Sequence, residues 1–380
     1  MTSGSHPCIA VLSVLLLLAG CAGLPVRGSL VGHTIQTRVD SEVARYYLAS
    51  YLAGKRSDAA LDERIDRVYR SAQDGLPGRG ELKRLSDDFS IDFAALYMAD
   101  RIARLAANRR FRDAFDQAHA YTSKSFANGR VELPAAAADY EVVFVPSYLY
   151  RRYPVTGADF AAPRAALQHV GLAQHFVETV EDGAIEANAG LVTAAIRARA
   201  HAGRRLILVS ASKSGPEVAL ALTRLGPAGT RHVAAWFNIV GALQGTPLAD
   251  DRLLPYLEER VGEVNIAGME SLTTKRSRQR FDSFRIPEQV LVVNYLGIPL
   301  SGSISSFART GFSHLRKHGP NDGIALLSDL IAPGGVTLAE LGRDHFLLDE
   351  HLDVTTVALA ITVIGWLENH EAKSLEKTEK

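Results

Sequence analysis

From Tyr140 onward the chain alternates short, continuous runs of Val, Ile and Leu with stretches of helical periodicity, and few folds accommodate that alternation. The runs Val142–Val145, Phe176–Thr179, Leu206–Val209, Val233–Ile239 and Val290–Tyr295 are candidate strands, with helix-like stretches such as Ala187–Ala200 and Pro216–Leu225 between them. Strands that are apolar on both faces must be covered on both. This predicts an α/β protein with a mostly parallel, doubly wound sheet. Ligands bind such sheets outside the carboxyl ends of the strands, so the strand exits are where chemistry is expected.

The exit at Leu206-Ile-Leu-Val-Ser210-Ala-Ser212-Lys213-Ser214-Gly215-Pro216 carries the most information, because an apolar strand runs into a turn of small residues and then a helix. A serine in such a turn projects its hydroxyl above the sheet, the arrangement of a nucleophile elbow. Small residues two positions to either side let strand and helix approach closely. Pro216 suits the first helical turn, where a missing N–H costs little. Ser210 and Ser214 stand where this motif usually has glycine, and a plain strand-to-helix turn with a serine N-cap fits the same residues taken alone. Two other motifs overlap here. Ser210 to Lys213 spells S-x-x-K, but no K-T-G follows; Lys213-Ser214 ends like a phosphate loop, but Ile207 and Ser212 occupy the glycine positions.

A serine nucleophile needs an imidazole to take its proton and an acid to orient the imidazole. Downstream, Gly319-Pro-Asn321-Asp322-Gly323 is a polar turn, and Asp344-His345-Phe346 follows the stretch from Val336 and precedes a C-terminal helix. Ser212, Asp322 and His345 therefore occur in the order nucleophile, acid, histidine. On these residues the chain over about 140–367 resembles an α/β-hydrolase of the lipase and esterase branch. Asn321-Asp322-Gly323 and Asp344-His345-Phe346 resemble the segments carrying the acid and the histidine in bacterial lipases. Gly245-Thr-Pro-Leu-Ala-Asp250 is similar to a Gly-Ser-x-x-Ala-Asp stretch in the same enzymes.

The resemblance implies a Ser212–His345–Asp322 triad that cleaves a carboxylic ester or related acyl substrate without metal or cofactor. It also implies an oxyanion hole formed by the backbone N–H groups of Lys213 and Tyr148, the latter in the loop after the Val142–Val145 strand. That loop reads Val145-Pro-Ser147-Tyr148 and lacks the family's usual His-Gly pair. Asp329, Asp344, His314, His318 and His351 are weaker candidates, by context or by chain order. Residues 244–288 would cap the site. With Arg276, Arg278, Arg280 and Arg285 close together, this cap is not a purely apolar lid. The reading from another class is a non-catalytic envelope protein that keeps the hydrolase fold as a scaffold, motivated by Ser210 and Ser214.

Outside 140–367, residues 30–130 have helical periodicity and no chemical motif. They are expected to form an all-helical N-terminal module, a candidate surface for a protein partner. Ile9–Ala19 is a short apolar run of the length of a signal-peptide core, although Met1–Pro7 carries no Lys or Arg. Leu18-Ala19-Gly20-Cys21 resembles a bacterial lipobox, which implies removal of residues 1–20 and lipidation of Cys21. Ala22 after the cysteine resembles the sorting pattern for the outer membrane, facing the periplasm. Cys8 would leave with the signal, so no thiol remains for a disulfide, a zinc site or a nucleophile. The chain has 42 Lys+Arg against 42 Asp+Glu, which gives no electrostatic case for nucleic acid. Val354–Leu367 is apolar but spans only about 21 Å as a helix, and is expected to be a buried core helix.

Overall fold

The computed structural model describes residues 23–30, 33–201, 203–251 and 265–378; the expected signal segment and Cys21 lie outside them. A hairpin of β1 (Leu24–Leu30) and β2 (His33–Val39) comes first, paired antiparallel. The main sheet consists of β3 (Tyr140–Val145), β4 (Ala173–Phe176), β5 (Arg205–Ala211), β6 (Val233–Ile239), β7 (Leu291–Ile298) and β8 (Val336–Leu341). Their order is β4-β3-β5-β6-β7-β8, and every neighbouring pair is parallel. The chain steps outward from β3 to β4 and then crosses back to β5. The gap between β3 and β5 is therefore the switch point, where the loops leaving the two strand ends diverge and leave a crevice.

Alternation along the strands sorts the side chains into two layers. On one face Val143, Val145, Leu206, Leu208, Trp236 and Val292 pack with Val192 and Ile196 of the Ile185–Ala200 helix and Val218 and Leu222 of the Ser214–Gly229 helix. On the other face Val142, Phe144, Ile207, Val209, Phe237 and Val293 meet helices Ala106–Ala127, Ala161–His169 and Leu352–Thr378. The last of these is long and apolar enough over Leu352–Asn369 to cross a membrane, yet half of that window is buried in the fold. Val357, Ala358, Val363 and Ile364 pack into the core, as expected for a core helix.

Two expectations need correction. Residues 33–39, at the start of the span expected to be helical, form β2; Thr34, Ile35, Thr37 and Val39 are β-branched and suit a strand. The strand expected at Phe176–Thr179 lies at Ala173–Phe176, three residues earlier. It is an edge strand whose residues are all partly exposed, so its Ala-Gln-His-Phe carries no apolar run. The N-terminal helices pack against the sheet domain. Phe93, Leu96 and Met98 of the Ile91–Arg104 helix share a core with Leu296, Ile298 and Leu330, and the Ala106–Ala127 helix lies along the C-terminal helix.

Polar ties repeat the same joint. Asp92 accepts from the N–H of Ser301 at 3.0 Å and from its hydroxyl at 3.0 Å, and Arg112 donates to Glu340 at 2.9 Å. Arg79, on the Arg79–Asp88 helix, donates to the fully buried Asp329 through Nη2 at 2.7 Å and Nε at 3.1 Å, and to Gln244 at 3.1 Å. Removing one partner of such a pair leaves the other charge buried and unpaired. Arg79→Ala is expected to cost about 3 kcal/mol, read as a lower denaturant midpoint at unchanged slope; a loss below about 1 kcal/mol would show that the pair behaves as a surface ion pair.

Candidate active site

Ser212 sits between the end of β5 at Ala211 and the helix beginning at Ser214, with φ at +50°. Its N–H donates to the Ile239 carbonyl at 3.0 Å, and its own carbonyl accepts from Ala242 N at 3.0 Å and Gly215 N at 3.1 Å. The strained turn is thus fastened to the exit of β6. The two serines that depart from the glycine pattern are both accounted for. Ser210 Oγ accepts from the buried Trp236 indole at 2.8 Å, and Ser214 Oγ donates to Val145 O at 2.8 Å while receiving Ala211 N at 2.9 Å. The close approach that glycine normally permits has moved one residue on. A Cβ at Gly215 would stand 2.8 Å from Gly241 Cα, and one at Gly241 would stand 1.9 Å from Asn238 Oδ1.

Asp322 and His345 are brought together as their order suggests. His345 Nδ1 lies 2.6 Å from Asp322 Oδ2, and His345 N donates to Asp322 O at 2.9 Å, so ring and backbone are held by one residue. The other carboxylate oxygen accepts Ile324 N and Ala325 N, each at 2.8 Å. Asn321 Oδ1 accepts Gly323 N at 3.0 Å, closing the turn that presents the acid. Asp322 is fully buried, and His345 nearly so. With Nδ1 engaged by a carboxylate, Nε2 is the nitrogen left to exchange a proton.

Three of the weaker candidates are occupied elsewhere, and His318, whose Nε2 is buried with no hydrogen-bond partner among the described residues, does not line the cavity that holds Ser212. Asp329 pairs with Arg79; Asp344 accepts Ser305 N at 2.7 Å and Phe346 N at 3.0 Å and so shapes the turn that carries His345. His314 pairs with Asp251 at 2.6 Å, and His351 is exposed.

Ser212, His345 and Tyr148 line one cavity of about 450 Å³ at the switch point. All five non-glycine residues with positive φ among the described residues, Leu149, Phe160, Ser212, Val240 and Leu347, line it as well. Such strain costs about 1–3 kcal/mol per residue and persists where surrounding structure enforces it, typically at functional sites. In the loop after β3, Ser147 N donates to Ala158 O at 2.9 Å and Leu149 N to Glu181 O at 3.3 Å, leaving the Tyr148 N–H between them. The Tyr148 hydroxyl is buried, and its pKa is pushed up to about 12 by that burial and by the Asp182 carboxylate, so it stays protonated.

Reasoning from sequence missed the Lys213 side chain. It is 2% exposed and pairs with Glu217 one helical turn on; Glu217 also receives Asn188 Nδ2 at 2.9 Å, and burial holds its carboxyl above the usual range. The i,i+4 spacing of Lys213 and Glu217 was the available signal. In the cap, Arg276 pairs with Glu270 at 3.3 Å, while Arg280 ties the cap to Glu186 of the Ile185–Ala200 helix at 2.7 Å. Residues 252–264 of that segment lie outside the described residues.

No family model and no curated protein matches the sequence. Solved structures do. A metagenomic carboxyl esterase, MGS0156, aligns at a TM-score of 0.51 with 21% identity over 63% of this chain and 78% of its own. The mature form of Bacillus licheniformis lipase BlEst2 aligns at 0.49 with 22% identity, over 63% of this chain and 94% of that one. Est1E from Butyrivibrio proteoclasticus aligns at 0.35 with 16% identity, over 65% and 91%. The parallel sheet and the first of these likenesses together define the class: this chain has the α/β-hydrolase fold.

Proposed function

We propose that this protein is a serine ester hydrolase. Ser212 Oγ attacks the ester carbonyl carbon while His345 Nε2 takes the hydroxyl proton, and the carbonyl oxygen becomes an oxyanion held by the N–H groups of Lys213 and Tyr148. The C–O bond to the alcohol then breaks, and His345 returns the proton to the departing oxygen. Water, deprotonated by the same nitrogen, releases the acyl group from Ser212 as a carboxylic acid. Asp322 fixes the tautomer and stabilises the imidazolium. The observation that carries this reading is the His345–Asp322 bond at 2.6 Å in a cavity that Ser212 shares. Ser210 and Ser214, the reason for considering an inert scaffold, have structural partners compatible with a working elbow.

A fluorophosphonate probe is expected to label the folded wild type and not Ser212→Ala. An unlabelled but folded wild type would sink the proposal. Attachment to the outer membrane through an acylated Cys21 belongs to the same reading, and is supported by the Leu-Ala-Gly-Cys sequence alone. Incorporation of an alkyne-tagged palmitate is expected to disappear in Cys21→Ser; label that persists there excludes the anchor.

A further inference from the structure

The cavity beside Ser212 does not end at the strand tips. Its walls include Val142 and Phe144 of β3, Ile207 and Val209 of β5 and Phe237 of β6, alternate residues that share one face of the sheet. Leu359 and Ala360 of the C-terminal helix also line it. From Ser212 down to Ile207 is five residues of strand, about 16 Å at 3.3 Å each. From Leu352, an exposed lining residue at the mouth, to Ala360 is eight residues of helix, about 12 Å at 1.5 Å each. The hollow therefore descends from the reacting serine into the layer between sheet and helix.

The opposite face of the same sheet shows what an ordinary layer looks like: Leu206, Leu208 and Trp236 meet Val192, Val218 and Leu222 and form a closed core. On the hollow side, none of the strand residues that line the space below the tips is polar. Tyr295 is level with Ile239 and Ala211 at the top, while the pairs Phe144–Val209 and Val142–Ile207 beneath are apolar. Apolar voids in a core are destabilising in proportion to their size, and they stay dry. A deep space that opens on a serine and whose lowest part is walled by apolar side chains fits an apolar tail joined to a reactive carbonyl. An apolar cavity of about 150 Å³ holds benzene, so this one has room for roughly eighteen carbon atoms at most.

We infer that the hollow is the acyl site for a long, unbranched fatty acyl chain, its carbonyl at Ser212 and its tail directed toward Ile207 and Ala360. This rests on the ester-hydrolase reading. Each methylene buried there should tighten transition-state binding by up to about fourfold, until the hollow is full.

The test uses the whole protein and p-nitrophenyl esters from acetate to palmitate, which vary the acyl part with the alcohol held constant. kcat/KM is expected to rise with chain length to a maximum at ten to sixteen carbons, on the order of the cavity's capacity. In Ala360→Phe, which fills the deep end, the laurate-to-butyrate ratio of kcat/KM is expected to fall at least about tenfold, the worth of two methylenes. Thr356→Phe, one turn nearer the mouth and half-buried, should move the maximum to still shorter chains and serves if the first variant fails to fold. Turnover that is flat across acyl lengths, or a chain-length dependence that follows the alcohol in a series of acetate esters, overturns the inference while leaving the hydrolase intact. If no ester is turned over, the hydrolase reading falls, and calorimetry with sodium palmitate and butyrate decides the hollow. Palmitate binding that is lost in Ala360→Phe upholds the apolar-chain site; no difference between the two acids overturns it.

Discussion

Replacing Ser212 with alanine is expected to lower kcat on an activated ester by about 10⁶, and replacing His345 as well to lower it no further. Nucleophile and base act as one unit. Without the hydroxyl the imidazole has no proton to take, and without the imidazole the hydroxyl is too weak a nucleophile. Ser212→Ala, His345→Ala and the double variant should therefore share one residual rate, the roughly 10³–10⁴ over water that oxyanion donors and substrate binding still supply. Both variants should fold. The Ser212 turn is held through its backbone by Ile239, Ala242 and Gly215, and the His345 backbone N–H keeps its bond to Asp322. Steady-state kinetics on the purified variants, with thermal melts as the folding control, give the comparison. Losses that multiply in the double variant would mean that Ser212 and His345 serve separate steps, and the proposed triad would fail.

The parts of this fold that were legible in the sequence are those where one local rule governs. β6 is apolar from Val233 to Phe237 because both its faces are buried, and it lies at Val233–Ile239, where that run predicts it. β4 escaped because an edge strand buries little; its Ala-Gln-His-Phe is no more apolar than a loop. In the site, the Asn321-Asp322-Gly323 turn and the strand–Ser212–helix junction announce themselves through turn chemistry. The shape of the cavity does not. Leu149, Phe160, Val240 and Leu347 adopt positive φ, a conformation their side chains disfavour, so nothing in their identity signals it. The hollow is equally hidden, since it forms between β5 and a helix about 150 residues later in the chain and follows from how the layers stack. The periodicity of the N-terminal helices shows an apolar face but not what covers it, which is the carboxyl end of β7 and the segment near Leu330.

Asp322→Asn carries the second large effect, about 10⁴ in kcat, with the fold retained. Asparagine can keep Oδ1 as acceptor for Ile324 N and Ala325 N, the two bonds that shape the turn. Its amide nitrogen then faces His345 Nδ1 where a carboxylate oxygen stood at 2.6 Å. An amide N–H donates, so it selects the imidazole tautomer with Nδ1 bare and the proton on Nε2. That tautomer cannot accept the Ser212 proton. The positive charge that develops on the ring during attack also loses its buried counter-charge. The deficit is therefore one of protonation state more than of position, and kinetics can distinguish the two. If tautomer and charge are at fault, KM should hold near the wild-type value while kcat collapses, and raising the pH should recover part of the rate as hydroxide replaces the enzyme base. A rise in KM with kcat little changed would instead assign Asp322 to the architecture of the 319–325 turn, and the acid would have to be sought elsewhere.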